Sequence, residues 1–324
     1  MRKIPALLRA FCAVGCAAVV SVAFAAYPER PIRIVVPFAP GGNIDINART
    51  VAPGMSEQLG QQVIVENRGG AGGRIGTEAV AKAAPDGYTW LLGSTGSLTV
   101  NPVFAAKPGY DALRDFVPTS FISEVPLMLA VHPSLPSRTV KQFIALAKAK
   151  PGEILMASAG IGSNTHLTGE LFQVMTGVKL THVPYKGAGP AAIDLVAGHA
   201  QCIFDQVTSS GRHVKAGKLR ALAVTSDRRS VQFPDVPTMK EAGAPGVEST
   251  AFTGIFLPAA TPRDIVTKVH AALVKVLDQP AVRDAFNRLG ADVVKSTPEE
   301  VTRRLTSEIA KWRKVQSRTG IRID

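Results

Sequence analysis

Four short stretches of this chain combine glycine with hydroxyl or small polar residues in a way suited to holding an anion. They are 40–45 (PGGNID), 69–73 (GGAGG), 94–97 (STGS) and 160–164 (GIGSN). Each follows an apolar run, and at least three lead into a stretch with helical spacing. The first turn of a helix exposes unpaired N–H groups at its positive end, so it can hold a carboxylate or a phosphate. Glycine lets that ligand approach the backbone without meeting a Cβ. If the loops face one crevice at the carboxyl ends of parallel strands, they form a site for a small anion.

Several side chains near these loops have two readings each. Asp45 is an N-cap for its helix or a ligand contact. Ser163 reads first as an N-cap whose hydroxyl could still face a ligand, and His166 would sit three residues later, as a ligand donor or a surface residue. Tyr185 follows Val183-Pro184 and either donates its hydroxyl into the crevice or packs in the core. Asp205 ends an apolar strand, where a carboxylate is costly unless paired. It would orient a cationic ligand group or pair with a neighbour.

Signatures of catalysis are absent. There is no G-x-S-x-G, S-x-x-K or G-x-x-x-x-G-K-[ST]. The six histidines (132, 166, 182, 199, 213 and 270) form no H-x-H or H-x-x-x-H pair, so no metal site is expected. Gly70-Ala71-Gly72 with Gly76 is a loosened dinucleotide fingerprint. The next strand, however, ends in Gly93-Ser94 where a ribose-binding acid is wanted. The reading is a chain that is not an enzyme and carries no cofactor. A hydrolase using Ser94 or Ser163 is the rival, and it lacks a base and an orienting acid at recognisable spacing.

The elements that must position these loops alternate, which argues for an α/β architecture. Strands are expected at 31–37, 62–66, 88–93, 126–132, 153–158, 179–184, 201–206 and 219–225. Helices are expected from about Asp45 to Leu59, from the 69–73 loop to about Ala84, from Ser137 or Thr139 to before Pro151, after Ser163, and near 190–197. The C-terminal part reads as helical. Thr261-Pro262 should start one helix with proline at its first position. Thr297-Pro298-Glu299-Glu300 is a capping box for another, whose Val301, Leu305, Ile309 and Trp312 share one face. Val125-Pro126 and residues 250–257 are the expected crossings between two lobes.

The N-terminus has the order of an export signal. Arg2, Lys3 and Arg9 precede the uncharged run AFCAVGCAAVVSVAF, and Ala23-Phe24-Ala25 is a small-x-small cleavage signature. A lipoprotein reading through Cys16 leaves too short an apolar core. Cleavage near Ala25 leaves 299 of 324 residues, and losing three cations takes the net charge from +12 to about +9. Cys12 and Cys16 depart with the signal, so only Cys202 remains, within the apolar run QCIFDQV, as a small buried hydrophobe. The remaining cations are scattered singly without interleaved aromatics, which argues against nucleic acid. A basic surface favours anionic small molecules.

With these motifs in hand, the mature chain resembles the Bug family of periplasmic solute-binding receptors associated with tripartite tricarboxylate transporters. The matching stretches are IRIVVPFAPGG, VENRGGAGGRIGTEAVAKAAPDGYTWLLGS, ASAGIGSNTH, HVPYKGAGPAAIDLVAG, RALAVTSDRR, FPDVPTMKEAG and LPAATP, in the family's order. The resemblance implies a two-lobed periplasmic binding fold of type II, with a small organic carboxylate in the interlobe cleft and hinge closure upon it. It implies residues 26–124 with 250–324 as lobe 1, and 125–249 as lobe 2. Carried over, the ligand-holding loops of lobe 1 fall on Ala39, Gly41, Gly42 and Asp45, with Gly72 and Gly73, and Ser94 lies at the floor. Lobe 2 would contribute Ser163, Asn164, His166, Tyr185 and Asp205. The protein would be a periplasmic monomer serving membrane transporter subunits encoded elsewhere, or, alternatively, a sensor. Two positions depart from the pattern: Gly69, where the family often has proline, and Ile44, where threonine is common.

Overall fold

The computed structural model describes residues 27–319; the export signal expected at 1–25 lies outside the described residues. Two βα series are joined through one long strand. In the first, β1 (Ile32–Val36) pairs in parallel with both β2 (Val63–Asn67) and β3 (Thr89–Ser94). Helix α1 (Asn43–Leu59) connects β1 to β2, and α2 (Arg74–Ala81) lies between β2 and β3. The second series carries α4 (Val140–Ala149) ahead of β5 (Leu155–Ser158), which pairs in parallel with β6 (Thr181–Pro184) and β7 (Cys202–Gln206). Its helices are α5 (Asn164–Thr176), α6 (Ala188–Val196) and α7 (Val207–Lys215).

The joining strand is β4 (Phe116–Val131), sixteen residues long. Its first part pairs antiparallel with β9 (Thr250–Pro258), from Phe116 opposite Pro258 to Pro126 opposite Thr250. From Leu127 onward it pairs instead with β7 and with β8 (Arg220–Val224). The strand order is therefore β2-β1-β3-β9-β4-β7-β5-β6. One lobe's sheet passes into the other's at Pro126–Leu127 without an intervening loop.

The strand pattern misses two stretches here. The segment FVPTSFISEV is broken by Pro118 and carries Ser and Glu, yet it is strand. The register shifts between Pro118 and Ser120 and again between Phe121 and Ser123, so bulges absorb the proline. Residues 250–257 are strand as well: they form β9, which lies between β3 and β4 and begins with Thr250 opposite Pro126. Helix α7 (VTSSGRHVK) also escapes the pattern, because Thr, Ser and Gly are poor helix formers and packing decides.

Helix α8 (Arg263–Asp278) packs on α1, and Gly54 of α1 permits the approach: a Cβ there would lie 2.9 Å from Val276 Cγ1. Pro262 is the N-cap of α8, not its first helical residue: its ψ of 141° is extended while its carbonyl already accepts the N–H of Val266. After α9 (Pro280–Leu289) and the two-residue β10 (Asp292–Val293), helix α10 (Pro298–Thr319) closes the chain. Its capping box forms as expected, with Thr297 N–H on Glu300 Oε2 (2.8 Å) and Glu300 N–H on Thr297 Oγ1 (3.2 Å). Val301, Leu305, Ile309 and Trp312 are all buried. Residues 95–104 are helical rather than loop: a π-type turn over Gly96–Val100 runs into α3 (Asn101–Phe104), with Leu98 and Val100 wholly buried.

Candidate functional site

The two lobes meet along the ends of their βα units. Ala39 N–H donates to Lys186 O across the seam at 2.9 Å. Glycines make the contact possible, most tightly at two positions. Gly72 has φ +62° and lies so close to Ile161 that a Cβ would sit 2.0 Å from its carbonyl oxygen. Gly189 presses on Pro40, with 2.1 Å between its would-be Cβ and Pro40 O. This is a closed arrangement, and any larger residue at either point would hold the lobes apart.

Beneath the seam lies a small cavity of about 30 Å³ lined from both lobes. Four helix N-termini reach it: α1 through Gly42, Asn43 and Ile44, α5 through Ser163, Asn164 and Thr165, α6 through Ala188, and α7 through its N-cap Gln206. Ser94, Thr95 and Gly96 add the end of β3, while Phe38 and Phe252 are its aromatic walls. The N-caps of α1, α6 and α7 make no side-chain capping bond, so their first-turn N–H groups are not satisfied in that way. Ser163 caps only one turn position, accepting from His166 N–H at 3.2 Å.

None of the lining residues is Asp, Glu, Lys, Arg or His. What the walls offer an anion is neutral: helix ends, hydroxyls and the side-chain amides of Asn43, Asn164 and Gln206. Asn43 and Asn164, one from each lobe, are almost fully buried, and each has an Nδ2 without a hydrogen-bond partner. Their oxygens are already engaged. Asn43 Oδ1 accepts from Thr208 Oγ1 at 2.5 Å, and Asn164 Oδ1 accepts from Ser249 Oγ at 3.2 Å. An orphaned buried donor is costly unless something accepts from it.

Behind Asn164 runs a hydrogen-bonded relay to the crossings. Ser249 Oγ also accepts from Thr168 Oγ1. The Ser249 carbonyl accepts from Thr225 Oγ1 at 2.5 Å, and Thr225 Oγ1 in turn accepts from Leu127 N–H at 3.1 Å. On the lobe 1 side, Asn47 Nδ2, one turn along α1 from Asn43, donates to Ser123 Oγ and Thr253 Oγ1 of the crossing strands. Buried polar groups next to the cavity are thus bonded to the strands and backbone where β4 changes partners.

Of the residues expected at the site, Gly42, Ser94, Ser163 and Asn164 line the cavity. Ala39, Gly41, Gly72 and Gly73 lie around it in the seam-forming loops, and Ala39 lines a shallower groove outside. Asp45 is at the third helical position of α1, not its N-cap, and is 4% exposed. Its carboxylate accepts from Gly41 N–H, Arg49 and Asn67 Nδ2, fixing the loop rather than meeting the cavity. Burial works to raise its pKa, but these hydrogen bonds and the Arg49 charge hold it below the usual range.

His166 faces its own lobe. It stacks on His182 with ring centroids 3.9 Å apart, and its Nδ1 accepts from Gly162 N–H. The Tyr185 hydroxyl donates to Asp194 Oδ2 at 2.8 Å, away from the cavity. Asp205 is wholly buried: its Oδ2 accepts from the Ser209 and Ser210 hydroxyls at the start of α7, its Oδ1 has no partner, and it is not among the residues lining the cavity. Burial pushes it up to about 6 despite those bonds. Sequence reasoning missed Phe38, Asn43, Thr95, Thr165, Gln206 and Phe252. Asn43 had a signal, as the only amide in the first glycine loop. Phe252 had none, because its strand was not recognised.

Fold and cavity together define a two-lobed periplasmic binding protein fold of type II with an anion-suited interlobe site. The chain matches the sequence model described as the tripartite tricarboxylate transporter family receptor (TctC) over residues 47–321, and it belongs to that family. It is 40% identical to protein BugT of Bordetella pertussis over 92% of this chain and 91% of that one. Among solved structures, it is similar to periplasmic binding protein BugD (TM-score 0.89, 37% identity, 91% and 99% of the two chains). It is also similar to Rpa4515 of R. palustris with adipate (0.88, 36%, 91% and 99%). A further similar structure is MatC of Rhodopseudomonas palustris with bound malate (0.87, 34%, 89% and 99%).

Proposed function

We propose that the protein captures a small organic carboxylate between its lobes in the periplasm and delivers it to the membrane subunits of a tripartite tricarboxylate-type transporter. The observation that carries this is the cavity itself: four helix N-termini and two unpartnered amide donors around a space with no charged side chain. Such a set stabilises an anion through dipoles and neutral hydrogen bonds. The adipate and malate in the two similar structures support the ligand class.

The ligand-holding residues in this reading are Gly42, Asn43, Ser94, Thr95, Ser163, Asn164 and Gln206. Lobe 1 comprises 26–124 with 250–324 and lobe 2 comprises 125–249; the change of β4's partners at Pro126–Leu127 supports that division. The chain is exported with cleavage near Ala25 and acts as a monomer.

No reaction is performed on the ligand. The Ser163 hydroxyl donates to Gly160 O, and the Ser94 hydroxyl is held by Ser97, so neither meets a base. Ser158 does contact His182 Nε2 at 2.6 Å, but it is wholly buried and is not a lining residue. Among the described residues, no group of three or more His, Cys, Asp or Glu could hold a metal.

A thermal-shift screen tests the function. Mature protein, unfolded and refolded to strip any carried ligand, is melted with C4–C6 di- and tricarboxylates, amino acids and aromatic acids. At 100 times its dissociation constant a ligand adds about 2.7 kcal/mol, a shift of several degrees. Stabilisation by an acid and none by its amide is expected; no shift with any acid would contradict carboxylate capture.

A further inference from the structure

The hydrogen bond between Asn43 and Thr208 crosses from one lobe to the other. Asn43 begins α1, which belongs to the β1–β3 sheet, and Thr208 is in α7, which follows β7 of the second sheet. We infer that Thr208 is a positioning residue, which takes hold of the Asn43 amide as the lobes close and so completes the carboxylate site only in the closed form. The inference rests on the carboxylate reading above.

Three observations carry it. The contact is short, 2.5 Å from Thr208 Oγ1 to Asn43 Oδ1, and both residues are buried, at 3% and 2% exposure. Asn43 Nδ2 has no partner, so the amide is engaged at its oxygen and uncommitted at its nitrogen. Asn43 also lines the cavity. A carboxylate accepting from Nδ2 leaves only Oδ1 to face Thr208. The hydroxyl must then donate, giving one directed chain from Thr208 O–H through the amide to the ligand oxygen.

In an open form the lobes part, and water serves both Asn43 and Thr208. In the closed form Asn43 Oδ1 is shut away from water, and Thr208 is the partner it has there. Losing the hydroxyl therefore weakens the closed, liganded state while leaving the open state unharmed. A residue that only supported the fold would affect both.

The test uses the mature protein with Thr208→Val, which keeps the shape and loses the hydroxyl, and Thr208→Ser, which keeps the hydroxyl. Adipate and malate are titrated calorimetrically, and urea unfolding is measured without ligand. Thr208→Val should bind the better of the two acids about 5- to 30-fold more weakly, with an unchanged ligand-free midpoint. Thr208→Ser should recover affinity to within about threefold. Wild-type affinity in Thr208→Val, equal losses in both variants, or a fall in ligand-free stability matching the affinity loss would each overturn the inference. If wild type binds neither acid, the variants are titrated with the acid that gives the largest thermal shift; if no acid of that panel binds, the carboxylate reading fails, and the inference with it.

Discussion

Replacing Gly189 by alanine separates closure from folding. Gly189 is the second residue of α6, where alanine suits an open helix and is favoured over glycine by about 1 kcal/mol. In the closed arrangement its Cβ would lie 2.1 Å from Pro40 O and 3.1 Å from Pro40 C on the other lobe. Ordinary contact begins near 3.4 Å, so the seam must open by more than 1 Å at this point. Both clashing atoms are backbone, so no side chain can swing aside. Overpacking of this kind costs about 1–3 kcal/mol, charged to the closed state alone. Because ligand binding draws on that state, affinity should fall about 5- to 150-fold while the ligand-free protein is as stable as wild type or more so. Calorimetric titration gives the first quantity and urea unfolding the second. Small-angle scattering with saturating ligand should show a larger radius for the variant. Wild-type affinity in Gly189→Ala would refute the argument that capture requires this closed seam. So would a loss of ligand-free stability equal to the loss of binding.

Other expectations concern the network beneath the seam. Asn164→Ala removes one orphaned donor and should weaken carboxylate binding about 10-fold or more in titration, as for a hydrogen bond to a charged group. Thr225→Val strips the hydroxyl shared by Leu127 N–H and Ser249 O at the crossings, and urea unfolding should show a loss of about 1–3 kcal/mol. Asp205 has its pKa raised by burial to about 6, so the native state binds this proton more tightly than the unfolded chain does. Its stabilising contribution is therefore present at low pH and lost as pH rises through about 4 to 6. Asp205→Asn should abolish that dependence in melts across this window and be no less stable at pH 7.5. An unchanged pH profile would contradict it.

Much of this protein is legible in its sequence because local chemistry and fold agree. The Thr297–Glu300 capping box and the Ser163 cap form as their spacing predicts, and both depend only on nearby backbone geometry. The glycine loops are equally visible, since close backbone approach at Gly72 and Gly189 leaves glycine as the residue that fits. What stays hidden depends on distant partners. β4 reads poorly because Pro118 is absorbed by a bulge against β9, some 140 residues later. Asp45, Tyr185 and Asp205 look like ligand groups in the sequence, yet Arg49 and Asp194 engage the first two locally and the serines of α7 take one oxygen of the third. Asn43 shows the reverse. Its importance appears only when Thr208, 165 residues away, takes its oxygen and leaves its nitrogen unpaired.

The central claim is that neutral donors at converging helix N-termini hold a carboxylate in the interlobe cavity. A crystal structure of the refolded protein with the acid that gives the largest thermal shift tests it most directly. The account predicts the carboxylate beneath the seam, accepting directly or through one water from Asn43 Nδ2 or Asn164 Nδ2 and from first-turn N–H groups of α1 or α5. A ligand bound elsewhere, or held in the cavity with both amides still unpartnered, would contradict it.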